Sequence, residues 1–301
     1  MASCFEHFMS IHRELKFSSG VIHQLMLREL DHDRLTDEIR FLLGNHVVRF
    51  LKVKFSLITR LCFGVIPDTS MYVVVENDIH QRYFLGHDDV SLDDLRVVLT
   101  HREFQQVYDA VKLCLIYMLN WILMGVDKRL KIPVWQFRLV ENLNTFDVFP
   151  WGAHVYRHSI FSFKHALTRR REERFQQSQG DVVHSVKGYD IYDLSHAVLV
   201  IPQLGVNFWT RRVTDISPHM LKWELTKQPR GKKLDKIFSA RMSARKGIVP
   251  TAAEAVAPYF AGLSERGACM YRTIGFTFLL SLIRLVVQII LMRRVGWGWE
   301  M

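Results

Sequence analysis

The 14 histidines of the sequence make a metal site the first chemistry to look for. His154 and His158 stand at i and i+4, a spacing that places both on one face of a helix. A zinc-protease helix would carry Glu directly after its first His, and residue 155 is Val. Two imidazoles without a third protein ligand make a weak zinc site. Carboxylates occur in two clusters, Asp31, Asp33 and Asp37, then Asp88, Asp89, Asp93 and Asp94. Paired carboxylates can divide general acid and base work. Spacing alone does not bring them to one pocket, and negative charge at helix N-termini explains both clusters more simply. The sequence holds no G-x-x-x-x-G-K-[ST] phosphate loop, no G-x-G-x-x-G and no G-x-S-x-G elbow. The expectation is no catalytic residue, no bound cofactor and no metal.

A different chemistry is concentrated between residues 227 and 246. Lys227, Arg230, Lys232, Lys233, Lys236, Arg241, Arg245 and Lys246 are opposed only by Asp235. Phosphate backbones attract such a patch by counterion release, without reading sequence. The same pattern also suits a solvated loop or a nuclear localisation signal. A weaker patch, Arg169, Arg170, Arg171 and Arg174, is diluted by Glu172 and Glu173.

The C-terminal region is apolar. Residues 274–292 read IGFTFLLSLIRLVVQIILM, flanked by Arg272 on one side and by Arg293, Arg294, Trp297 and Trp299 on the other. Length and an Arg/Trp belt fit a membrane-spanning helix, a C-terminal tail anchor with the bulk of the chain in the cytosol. Arg284 at its centre costs about 2.5–3.5 kcal/mol, which a dozen or so apolar residues at about −0.3 to −0.6 kcal/mol each roughly offset. Thr277, Ser281, Arg284 and Gln288 share one helical face. That stripe equally suits a helix lying on a surface or packed on protein.

These segments need a scaffold, and its elements are mostly helical in pattern. Val21–Leu30 and Leu35–Leu43 read as short helices, Val47–Phe50 and Met71–Glu76 as strands, and Phe55–Leu61 as helix. Ser91 and Asp94 form a capping-box-like start. Phe104, Val107, Tyr108, Val111, Leu115, Met118 and Ile122 recur at three and four, predicting one long central helix that Gly125 ends. Val134–Phe146 comes next as a helix opened by Pro133. After the break Phe149-Pro150-Trp151-Gly152, residues 154–167 are again helical, with a polar loop or frayed end to Gly180. Asp190–Ile201 fits either helix or strand. Thr251 leads a last short helix that Pro258 stops.

The chain has 301 residues, 49% of them apolar and 12% aromatic, enough for a packed core, and a formal net charge of +10. That composition excludes wholesale disorder. The N-terminus lacks the apolar run of a secretory signal, and Cys4, Cys62, Cys114 and Cys269 lie far apart with no C-x-x-C. Reduced thiols are the expectation, and Cys114, on the apolar stripe of its helix, reads as buried and inert.

Several segments taken in order resemble a plant family, the domain of unknown function nineteen eighty-five. Residues 35–44 (LTDEIRFLLG), Val48-Arg49-Phe50 and residues 55–61 (FSLITRL) are similar to its opening helix, "R-F" strand and "E-F-x-L-I-T-G-L" helix. Residues 141–152 (ENLNTFDVFPWG) resemble its "Y-P-W-G" signature. Segments at 201–205, 218–223, 250–254 and 258–259 resemble later segments of the same plant proteins, so the likeness runs from about 20 to 262. Residue 54 is Lys where the family often has Glu, and residue 60 is Arg where it often has Gly. The resemblance implies a transposon-derived protein of the kind that usually carries a Ulp-type protease domain further on. No room for that domain is expected after Leu263, so no enzyme activity is expected to carry over.

The resulting expectation is a mainly α fold: a single compact helical domain with a few short β-strands and a separate C-terminal apolar helix. Its parts are an N-terminal segment (1–20), a family-like helical core (21–167), an extension with the basic stretch (168–262) and the apolar tail (263–301). The expected role is a non-catalytic interaction module, nuclear or cytoplasmic, with weak nonspecific nucleic-acid association. The alternative is a tail-anchored membrane protein.

Overall fold

A computed structural model describes residues 4, 5, 8, 19–30, 38–43, 46–72, 78–85, 87–101, 103–176, 204, 207–211, 223–227, 231–239, 250–261 and 263. In chain order the elements are α1 (Ser19–Met26), β1 (Ile39–Leu43), β2 (His46–Phe50), α2 (Lys52–Thr59), α3 (Ile79–Phe84), α4 (Leu92–His101) and α5 (Asp109–Tyr117). They continue with α6 (Val134–Glu141), α7 (Leu143–Val148), α8 (Trp151–Gln176), β3 (Trp209–Arg211), β4 (Trp223–Leu225), α9 (Gly231–Ser239), α10 (Ala252–Ala255) and α11 (Pro258–Ala261). The fold is mainly helical. It divides into two compact units. Among the described residues, one is 65–150 with Cys4, Phe5 and Phe8, and the other is 19–64 with the residues from Trp151 onward.

In the first unit α5 is buried along its whole length, because its sequence is apolar nearly all round. It packs against α4 and α6, and α6 packs against α3 and α7. The expected long helix is shorter and changes pitch. Val107 and Tyr108 are exposed, α5 begins at Asp109, and residues Met118–Leu123 continue as a π-helical turn. Asn120 explains the change: its buried side-chain Nδ2 donates to the Ile116 carbonyl at 2.9 Å and to Gln136 Oε1 at 2.6 Å. A side chain on that carbonyl competes with the regular ladder. Gly125 comes next at φ 59, the left-handed conformation that suits a residue without a β-carbon. The expected helix over 134–146 is two helices, because Asn142 breaks α6 and caps α7, its Oδ1 accepting from Asn144 and Thr145 N–H. Phe5 stacks edge-on against Phe8 and Phe146, and Cys4 N–H donates to Asp147 Oδ1.

In the second unit β1 and β2 pair antiparallel, with Ile39 opposite Phe50 and Phe41 opposite Val48. All four of those side chains are buried. The expected helix over Leu35–Leu43 is therefore a strand where it is described. Alternation of Ile39, Phe41 and Leu43 prevails because β1 finds partners on both sides: β2, and Arg28–Leu30 through Leu30 N–H to Arg40 O and Leu42 N–H to Arg28 O, both 2.8 Å. The strand expected over 47–50 and the helix expected over 55–61 are present as β2 and α2. Tyr156 of α8 stacks on Phe50 at 5.6 Å and donates its hydroxyl to the Phe50 carbonyl. α8 runs on to Gln176, beyond the expected limit of 167. Thr251 and Glu254 form a capping box on α10, which ends ahead of Pro258 as expected, and Pro258 then starts a further helix, α11. Cys62 is disulfide-bonded, contrary to the expectation of reduced thiols. Cys4 and Cys114 are buried, Cys114 as a free thiol, and burial pushes the Cys114 thiol far up. Most of the strand expected over 71–76, all of 190–201, and the apolar helix of 274–292 lie outside the described residues. Among the described residues, no helix is long and apolar enough to cross a membrane.

Candidate nucleic-acid interface

Part of the basic stretch folds into α9. Its sequence, GKKLDKIFS, separates two faces at helical spacing. Leu234, Ile237 and Phe238 are buried, and Lys232, Lys233 and Lys236 are exposed. The apolar face packs against α1. Arg28, just past α1, donates to the Phe238 carbonyl at 3.0 Å and lays its guanidinium 5.0 Å from the Phe238 ring centroid. A cation near the last carbonyls of a helix is favourable.

Phe208 links one further lysine, Lys227, to Lys233 of α9. Its carbonyl accepts from Thr226 and Lys227 N–H at 2.9 and 3.2 Å, which fixes the backbone where β4 ends. Its ring lies 5.4 Å below Lys233 Nζ. Phe208 is buried and Lys227 exposed. Four of the expected residues, Lys227, Lys232, Lys233 and Lys236, are thus placed on one unit, three of them on one helix face. Arg230, Arg241, Arg245 and Lys246 lie outside the described residues, as do Arg272, Arg293, Arg294, Trp297 and Trp299.

Charge is divided between the units. Among the described residues the second unit has 17 Lys and Arg against seven Asp and Glu, a net +10. The first has seven against eleven, a net −4.

Sequence spacing missed a buried ionic cluster in the first unit. Arg82 of α3 pairs with Asp109 of α5 at 2.7 Å and lies 3.6 Å from Glu141 of α6. Lys112 of α5 is bound to the same Glu141, which also accepts from Ile79 N–H at 2.5 Å. Tyr83 donates its hydroxyl to Asp109 Oδ2 at 2.8 Å. Burial, together with the Asp109 carboxylate, pushes the Tyr83 phenol up, so it stays a donor. Two cations and two anions balance, and every member is tied to another helix. The only sequence signal was Lys112, a lone charge in an apolar run.

His154 and His158 belong to the second unit, and Asp88, Asp89, Asp93 and Asp94 to the first. His154 and His158 share α8, and among the described residues no group of three or more His, Cys, Asp or Glu could hold a metal ion. Burial, with His158 and Arg157 alongside, lowers His154 to about 4. Asp94 bonds Ser91 as the capping box expected for α4. Asp93 pairs with Arg96 and Lys128, and Asp89 with Lys131. Asp31, Asp33 and Asp37 lie outside the described residues.

Among the described residues, a mainly helical scaffold with short antiparallel strand pairs and a lysine-faced helix defines the class: a small α-domain protein whose second unit is basic. Residues 26–162 match the family model described as Domain of unknown function (DUF1985). No curated protein and no solved structure matches the chain.

Proposed function

We propose that the chain is a non-catalytic interaction module that associates weakly, and without sequence preference, with nucleic acid through α9. The observation that carries this reading is the joint exposure of Lys232, Lys233 and Lys236 above a buried Leu234–Ile237–Phe238 face. Three ammonium groups on a packed helix meet a phosphate backbone without reading bases. Lys232 and Lys233 lie in the first turn, where they add to the positive end of the helix dipole. The non-catalytic part is supported by the pairing of the buried Asp109 carboxylate and the partly buried Glu141 carboxylate. A transposon-derived origin rests on the resemblance of the sequence segments, and a nuclear setting on the basic stretch of 227–246.

Gel shift of the full chain with a duplex oligonucleotide at several salt concentrations tests the reading. Affinity falls as salt rises, and K232Q/K233Q/K236Q flattens the log–log slope by about 0.9 for each phosphate that is no longer neutralised. Binding that ignores salt would overturn it. The tail-anchor reading rests on the sequence of 274–292 alone. Alkaline extraction tests it, since a spanning helix stays in the lipid pellet and a surface helix is released.

A further inference from the structure

The β1–β2 hairpin turns one face to the core and the other outward. Register places Arg40 directly opposite Arg49 on the outer face. Like charges so placed repel, and Glu38 resolves the conflict. Arg40 bonds Glu38 Oε1 through Nε at 2.6 Å and Nη2 at 2.5 Å. Arg49 bonds Oε2 through Nε at 2.9 Å and Nη2 at 2.6 Å. Burial would raise the Glu38 carboxyl, but the hydrogen bonds from Arg49 and Arg40 outweigh it and hold it below the usual carboxylate range. The carboxylate side chain is 9% exposed, and the two arginines are 43% and 52% exposed.

One carboxylate neutralises one guanidinium, so this fork keeps a net charge of +1 at the surface. Both arginines turn the same edge, Nε with Nη2, to Glu38, and among the described residues this leaves the Nη1 end of each planar group for another acceptor. Holding the two side chains in place beforehand removes part of the entropy cost of ordering them on a ligand. The fork is also connected to α9: Arg28 pairs its backbone with β1 and reaches Phe238 with its side chain.

We propose that the Arg40–Glu38–Arg49 fork is a second binding point for nucleic-acid phosphates, set on the same unit as the α9 lysines. This inference rests on the nucleic-acid reading of α9 and adds to it a site made of arginine rather than lysine.

The test is the salt slope of oligonucleotide binding by the full chain, read by fluorescence anisotropy. Arg49→Gln leaves Arg40 paired with Glu38, so no buried charge is orphaned and the fork becomes neutral. The slope is expected to fall by about 0.9, one phosphate contact, and Arg49→Lys is expected to restore it. Arg40→Gln, which leaves the Arg49–Glu38 pair, gives the same fall and serves if Arg49→Gln does not fold. Arg157→Gln removes one exposed charge from α8 of the same unit and is expected to leave the slope unchanged. An equal fall in Arg157→Gln would mean diffuse charge and would overturn the fork. So would an unchanged slope in Arg49→Gln while K232Q/K233Q/K236Q still lowers it, an outcome that leaves the α9 reading standing. Salt-independent binding by the unsubstituted chain removes both readings. Arginine-dependent binding to phosphatidylserine vesicles, without oligonucleotide binding, would assign the fork to a lipid headgroup and overturn the proposal.

Discussion

Gly152 donates its backbone N–H to the Cys62 carbonyl at 2.7 Å, and a β-carbon added to Gly152 would lie 2.6 Å from that same oxygen. The Leu61 carbonyl would lie 2.7 Å away, so backbone closes the space on two sides. This contact seats the start of α8 on the segment just after α2. Alanine is the better helix former by up to about 1 kcal/mol, yet here it needs the chain to move. Gly152→Ala is expected to destabilise by about 1–3 kcal/mol, the usual cost of overpacking. Urea denaturation checks the sign, and a stabilised variant would mean that the two segments are not held this close.

The Arg82–Asp109–Glu141–Lys112 cluster carries a second prediction. Removing one member of a buried pair leaves a charge without its partner, at a cost of about 3–5 kcal/mol. Arg82→Met is expected to fall in this range, because Arg82 and Asp109 are 5% and 0% exposed. Adding Asp109→Leu is expected to recover part of the loss, since an apolar pair needs no desolvation. Denaturant midpoints of both singles and the double give the coupling. A loss below about 1 kcal/mol for Arg82→Met would indicate a solvated pair.

Local signals were legible where the decisive contacts are local. Ser91 with Asp94, the β2 strand and the α2 helix each arise from residues a few positions apart. The basic face of α9 comes from spacing too, once the segment is helical. Sequence could not supply the outcome of long-range competition. Residues 39–43 satisfy either period, and hydrogen bonds to Arg28 and Leu30 decide for strand. Asn120 alters the pitch of its helix through Gln136, 16 residues away. The ionic cluster joins Arg82 to Asp109, 27 residues away, and Ile79 N–H to Glu141, 62 residues away, so no motif announces it. The Arg40–Arg49 fork depends on a register that only the hairpin fixes.

His154 makes stability depend on pH over a defined window. Its folded-state value of about 4 lies below the ordinary 6.5 because burial, then His158 and Arg157, disfavour the charged ring. Between those values the unfolded chain binds a proton that the folded chain refuses, so stability falls as pH drops from about 6.5 to about 4. The full loss is about 3 kcal/mol at 1.36 kcal/mol per unit. Above pH 6.5 this group contributes no slope. His154→Gln, which cannot titrate, is expected to flatten the wild-type curve within the window, read from urea melts at several pH values. Parallel curves would mean that the imidazole is solvated.

Arg60 ends α2 in the left-handed conformation, with φ 56 and its N–H on the Ser56 carbonyl at 2.7 Å. A residue with a β-carbon is strained there by about 1 kcal/mol, and glycine is not. This is the position where the resembled family often has Gly, so the motif reflects a helix stop. Arg60 gains some compensation, since its guanidinium lies 5.5 Å from the Tyr259 ring centroid, a contact worth about 0.5–1 kcal/mol. The two effects separate in a pair of variants that both lack the guanidinium. Arg60→Ala keeps the backbone strain and Arg60→Gly relieves it. Arg60→Gly is therefore expected to be the more stable by about 1 kcal/mol, and thermal melts of the two measure the difference. If Arg60→Ala matched Arg60→Gly, the helix end would not hold this conformation in solution. A gap of the expected size would confirm that residue 60 serves as the stop of α2.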